Sequence, residues 1–204
     1  DYEAVAHIKL AALKAVFDVY DARHLRKNTK QNKAFKAFVT EGGESLDMLA
    51  VYDALQSHLK AKGKDCWGWP VFPEEYKDYH NPAVAKFKKA NAGNVKFYLF
   101  LQWIAAQQLE AASSKATECG MTIGLYRDLA VGVSEGSAEI WGNKDLYCVD
   151  ASVGAPPDIL GPLGQNWWLP PMDPRKLYEQ AYQPIIDLFA ANMASSGSLR
   201  IDHV

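Results

Sequence analysis

The residues best placed to do chemistry lie in the last stretch of the chain, Ser-Leu-Arg-Ile-Asp-His-Val, residues 198–204. The alternation predicts a strand. Side chains along a strand take opposite faces in turn, so Arg200, Asp202 and Val204 share one face while Leu199 and Ile201 share the other. A guanidinium within reach of a carboxylate favours the ionised acid, the form that can attack an electrophile or accept a proton. In a parallel strand buried on both faces the pair is costly, on the order of several kcal/mol per ion, and such a cost usually marks a site. Read alone, however, such a pair is more often a structural ion pair than a site. A second carboxylate, Asp128, ends the run Met121–Tyr126, which turns from helical to strand periodicity at Cys119-Gly120. Asp128 reads either as a site residue at the end of a parallel strand or as an acid that shapes the following turn.

A third set of candidates sits in the segment from Ala151 to Pro174, which holds six of the ten prolines. This composition predicts a long ordered loop without helix or central strand. Within it, Asp158, Gln165, Asn166, Trp167 and Trp168 combine hydrogen-bonding groups with flat apolar rings, the pair of properties that a sugar requires. The competing role for the tryptophans is to anchor the loop, and on composition sugar contact is the better reading. The chain has no Gly-rich phosphate loop, no Gly-x-Ser-x-Gly elbow, no His-Glu-x-x-His helix and no metal-ligand spacing. No metal and no cofactor are expected, and the chemistry rests on carboxylates.

The elements that must carry these residues are mostly helices. Asp1 caps a helix to about Arg23 with Val5, Ile8, Ala12, Val16 and Val19 as its inward stripe. A second helix, Thr29–Glu41, ends at Gly42-Gly43, and a third runs from Ser45 to Gly63 with Leu46, Leu49, Ala50 and Leu59 buried. Trp67 and Trp69 lie in a loop broken by Pro70 and Pro73, where packing between helices is the better reading. Asn81-Pro82 opens a short helix, and Asn94 caps a long one to Glu118. Beyond the first strand, a short helix is predicted at Gly136–Trp141 and a short extended piece at Leu146–Val149. Asp173-Pro174 starts the last helix, which Pro184 bends or splits, and Gly197 ends it.

The totals narrow the classes. A net charge of −2 gives no electrostatic case for nucleic acid or an anionic membrane. With 49% hydrophobic residues the chain can bury a sizeable core. Three scattered cysteines, Cys66, Cys119 and Cys148, argue for reduced thiols and a cytoplasmic protein. The abrupt Asp-Tyr-Glu start suggests an excised piece.

Three motifs then carry a resemblance: Leu-Arg-Ile-Asp-His-Val at the end, the Gly-Ala-Pro-Pro-Asp to Gly-Pro-Leu-Gly-Gln-Asn-Trp run of Gly154–Trp167, and Leu-Tyr-Arg-Asp-Leu-Ala-Val-Gly-Val at Leu125–Val133. In this order they resemble the bacterial amylomaltases, the 4-α-glucanotransferases of the α-amylase clan. The resemblance implies an α/β fold class: a fragment of a (β/α)8 barrel with a large helical insertion, and so mostly α with a few short strands. It implies a helical subdomain over 1–119 and a partial catalytic barrel over 120–204, with the active-site loop at about 151–174. It implies a retaining transfer between maltodextrins, with Asp202 as nucleophile, Arg200 beside it, and Asp128, Asp158, Gln165, Trp167 and His203 as substrate-binding residues. The second carboxyl group of such an enzyme lies, in the family, on a later strand, so these residues alone are expected to be inactive. Trp168 stands where the family usually has Gly, a residue that often marks a backbone shape unsuited to bulk. The competing readings are a hydrolytic α-glucosidase of the same clan and a non-catalytic helical module.

Overall fold

The computed structural model describes residues 1–204 other than 65, 131, 203 and 204. Asp1 accepts the Ala4 amide and opens helix α1 (Tyr2–Tyr20), which runs into a π-helical turn at Asp21–Leu25. Thr29 then caps α2 (Lys30–Ala61), accepting from the Asn32 amide at 3.1 Å while its hydroxyl donates to the His24 carbonyl. The predicted break at Gly42-Gly43 is a kink, with Gly43 at φ 55° and ψ −145°, a conformation that favours glycine. Asn81-Pro82 opens α3 (Pro82–Ala90), as predicted. The long helix α4 (Ala92–Glu118) starts earlier than expected, with Asn91 rather than Asn94 at its cap.

The core forms where α2 and α4 meet. Val51, Ala54 and Leu55 of α2 are sealed from solvent, and Phe97, Phe100 and Trp103 of α4 meet Phe17 and Phe35 at ring distances of 5.3–5.5 Å. Asp21, 4% exposed, anchors the π-helical turn through Lys96 and Arg26, each at 2.5 Å. Helix α1 departs from expectation. Phe17 is its buried residue, and Val5, Ile8, Val16 and Val19 all face outward. Periodicity identified an apolar stripe, but the neighbouring side, roughly 100° round the helix through Leu13, Phe17 and Tyr20, is the one that meets the core.

Trp69 packs as predicted. Its indole donates to the Glu135 carbonyl and lies under the Lys144 ammonium at 4.3 Å, whereas Trp67 is half exposed with its ring edge against Gly136. Gly68 and Gly136 approach so closely that a Cβ on Gly68 would sit 2.5 Å from the Gly136 Cα.

Beyond α4 the chain forms β1 (Tyr126–Asp128), α5 (Ala138–Gly142), β2 (Val153–Ala155), β3 (Gln165–Leu169), α6 (Pro174–Glu179), α7 (Gln183–Met193) and β4 (Ser198–Arg200). Strands β1 and β4 pair in parallel, Asp128 opposite Arg200. The expected strand thus stops at Arg200, before Asp202. Strands β2 and β3 form an antiparallel ribbon inside the segment read as a loop without strands. The prolines fall outside the paired residues, and a two-stranded ribbon has no central strand for them to disrupt. Pro184 does split the last helix: Ala181 and Tyr182, both at positive φ, separate α6 from α7. Among the described residues, no disulfide forms, and no helix is long and apolar enough to cross a membrane.

Candidate functional site

The register of β1 and β4 puts Asp128 and Arg200 on neighbouring strands, and the ladder continues with the Leu129 amide donating to the Arg200 carbonyl. Paired residues of parallel strands point to the same side. Arg200 accordingly sends Nη1 to the Asp128 carboxylate at 2.5 Å and Nη2 to the Asp202 carboxylate. The hydrogen bond that Arg200 donates to Asp128, then the charges of Asp128 and Asp202, push the guanidinium pKa above its ordinary value. Arg200 is the hinge of a three-residue cluster in which one cation orients two acids.

The cluster is not buried on both faces. The Arg200 side chain is 45% exposed, Asp128 60% and Asp202 28%. A sheet of two strands cannot cover its faces as a full barrel would, so the desolvation cost read from the sequence is largely absent. Asp202, the least exposed of the three, lines a cleft of about 990 Å³. That volume is at the upper end of the range of roughly 300–1,000 Å³ typical of small-molecule sites. One wall comes from α2 and the segment before α3, with Glu44, Met48, Tyr79 and His80; the other comes from α7, with Ile185, Asp187 and Leu188.

Helix α5 and the turn after it also line this cleft, with Glu139, Asn143 and Tyr147. Burial raises the Glu139 carboxyl pKa, only partly offset by the Asn143 amide, which donates at 3.3 Å. Burial, reinforced by Glu139, raises the Tyr147 hydroxyl, which has no protein partner among the described residues. None of these cleft residues was singled out from the sequence. The signal was slight: Glu139 lies within the predicted short helix, and Tyr79-His80 immediately precedes the Asn81-Pro82 cap.

The loop candidates lie elsewhere. Asp158 closes its own turn, accepting the amides of Leu160 and Gly161 at 2.9 and 2.5 Å. Gln165 accepts the Trp167 indole N–H at 2.9 Å, and neither they nor Asp158 line the Asp202 cleft. Asn166 holds the ribbon through Ser152 and the Trp168 amide. Trp168 itself has φ 56°, the left-handed shape for which Gly is suited. His203 lies outside the described residues. Among them, no group of three or more His, Cys, Asp or Glu side chains is placed to hold a metal ion.

A family profile described as 4-alpha-glucanotransferase matches residues 1–204. The chain belongs to the 4-alpha-glucanotransferase family. It is 37% identical over 207 residues to the 4-alpha-glucanotransferase of Haemophilus influenzae, a match that takes in 100% of this chain and 30% of the relative. The Mycobacterium tuberculosis 4-alpha-glucanotransferase is 35% identical over 204 residues, covering 100% of this chain and 26% of its own length. The chain therefore spans less than a third of these curated family members. The crystal structure of amylomaltase from Corynebacterium glutamicum aligns with a TM-score of 0.73 at 32% identity, over 96% of this chain and 24% of that one. Amylomaltase from Streptococcus agalactiae, solved in complex with acarbose, aligns with a TM-score of 0.84 over 100% of this chain and 40% of that one; at 19% identity this likeness shows the fold alone. The mostly helical architecture with few short strands is that of a piece of an amylomaltase-type barrel enzyme, as the family resemblance implied.

Proposed function

We propose that these residues form part of an enzyme that transfers α-1,4-glucan segments between maltodextrins by a retaining double displacement, with Asp202 as nucleophile. The observation that carries this reading is the position of Asp202, held by Arg200 at the edge of the cleft. Asp202 attacks the anomeric carbon as the bond to the leaving glucan oxygen breaks, giving a covalent glycosyl-enzyme. The hydroxyl of an acceptor glucan then displaces Asp202. Arg200 stabilises the carboxylate before attack and after release, and Asp128 fixes the guanidinium through its other arm. The acid that protonates the leaving oxygen must stand roughly 5 Å from the nucleophile. In this reading it comes from polypeptide beyond residues 1–204, in keeping with the greater length of the relatives.

Asp158, Gln165, Trp167 and His203 belong to the substrate-binding part of the proposal, on the motif resemblance. Transfer prevails over hydrolysis when a closed site favours a glucan acceptor over water. We place the enzyme in the cytoplasm and assign it no cofactor.

The test is Asp202→Asn in the full-length enzyme. Transfer from maltotriose should be abolished while dextrin affinity, measured calorimetrically, stays within about threefold, since the change removes nucleophilicity with little change in volume. Residues 1–204 alone should release no glucose. Turnover by the Asn variant within a few-fold of the unmodified enzyme would reduce Asp202 to a structural residue.

A further inference from the structure

The cleft that Asp202 lines has one wall that the carboxylate chemistry does not use. This wall comes from the helical part of the chain: Glu44 and Met48 on α2, and Tyr79 and His80 ahead of α3. Its aromatic member is fixed. The Tyr79 hydroxyl donates to Asp47 at 2.9 Å, and Asp47 in turn receives the Lys88 ammonium at 2.7 Å. Burial and the Asp47 acceptor raise the Tyr79 hydroxyl pKa, so the donor persists across the neutral range. The ring stands edge-on to Trp141 at 5.4 Å and beside the His80 imidazole at 5.1 Å. The His80 amide is held by Asp78, while its side chain is exposed. A rigid ring next to an exposed imidazole, in a cleft with carboxylates and an amide on its other surfaces, suits a polyol with apolar faces: the ring packs on a sugar face, and the polar groups meet hydroxyls. A platform already immobilised by Asp47 and Trp141 loses little conformational entropy on binding.

We infer that Tyr79 and His80 form a glucose-binding subsite for the part of an α-glucan chain remote from Asp202, so that the helical part of the chain sets a preference for longer glucans. The inference rests on the α-glucan reading proposed above. On this inference a short substrate bound at Asp202 leaves the Tyr79–His80 wall empty, and a longer one reaches it. Binding energy there is added only for longer chains, which makes the effect a matter of substrate length rather than of reaction chemistry.

The experiment uses the full-length enzyme and compares kcat/KM for maltoheptaose with that for maltotriose. His80→Ala should lower the ratio about fivefold, and His80→Gln, which keeps a hydrogen-bonding group, should restore part of it. Tyr79→Leu should lower it further, with Tyr79→Phe separating the ring from its bond to Asp47. A ratio unchanged in His80→Ala and in Tyr79→Leu, in enzyme that still turns over both sugars, overturns the subsite. A parallel fall for both lengths also overturns it, since that result marks a general loss of structure. Failure of the unmodified enzyme to act on either glucan would instead remove the α-glucan reading itself, so the two failures are distinct.

Discussion

The helices α2 to α4 and the segment after Gly120 spend their apolar residues differently. In the helical part Leu55, Val51 and Val84 are sealed, and rings from α1, α2 and α4 interlock. After Gly120 the buried large side chains gather around α5, while Ile159, Leu160 and Leu163 stand 94–98% exposed. A helix satisfies its backbone internally and needs only one packed stripe, whereas a strand needs neighbours on both edges and cover on its faces. Among the described residues the strands form two separate pairs that supply neither, and two-stranded units are marginal by themselves. The carboxylates thus sit on the less self-sufficient part of the chain, and the adjoining helices give the cleft one of its firm walls.

The largest test of this contrast is Trp141→Ala. Trp141 is 1% exposed, donates its indole N–H to the Tyr76 carbonyl and joins the helical core from the segment after Gly120. Its loss should cost about 3–5 kcal/mol. Leu160→Ala, at 94% exposure, should stay within about 0.5 kcal/mol. Thermal melts of the two variants, if they fell equally, would break the contrast.

A smaller effect concerns two acids within the helical part. Burial pushes the Asp53 carboxyl up to about 6. For Asp21, burial pushes up, but the hydrogen bonds and charges of Lys96 and Arg26 outweigh it and leave the acid below its ordinary value. The signs are opposite. Asp21 contributes stability above the ordinary carboxylate pKa, and that contribution is lost as pH falls through its lower folded value. Asp53 is destabilising once ionised: its cost sets in as pH rises above the ordinary value and is complete above about 6. A shift of two units corresponds to roughly 3 kcal/mol, which residual exposure reduces to about 1–2. Asp53→Asn should therefore stabilise the protein at neutral pH, with the gain shrinking as pH approaches 4. Melting temperatures followed against pH for Asp53→Asn and Asp21→Asn should move in opposite directions; parallel curves would refute the assignment.

The smallest expected effect is in the exposed ribbon. Trp168 is 76% exposed and held at φ 56°. Trp168→Gly should relieve strain worth about 1 kcal/mol with little packing lost, raising the melting temperature slightly. A fall would show that the indole anchors the ribbon.

Helix limits were legible wherever local chemistry decides them: Asn81-Pro82, Asp173-Pro174 and the split at Pro184 follow from caps and missing donors, and the kink at Gly43 from the backbone freedom of glycine. What needed partners was not. The α1 stripe is real, yet periodicity says only that one face is apolar and not which face this chain covers. The ribbon at Val153–Leu169 is invisible to composition, because the segment is rich in proline and only the pairing shows that the prolines lie in its tip and flanks. At the site, period two placed Arg200 beside Asp202, but the second grip of Arg200, on Asp128, depended on the β1–β4 register. Tyr79 and His80 carried no pattern at all; a cleft between distant segments has no signature in either one.

The close approach of Gly68 and Gly136 bears on the order in which the chain acquires its structure. The Tyr52 hydroxyl donates to the Gly136 carbonyl across a sequence separation of 84 residues, and the indole of Trp69 reaches Glu135 across 66. The contacts between α2 and α4 can form as soon as those helices exist, but these closures must wait for α5 and bear the entropy of a long loop. A bulky residue at either glycine would wedge the two backbones apart and strike this last step. Substitution at Gly68 or Gly136 should slow the final closure, as refolding followed by tryptophan fluorescence would register, while helix formation seen by circular dichroism keeps its rate.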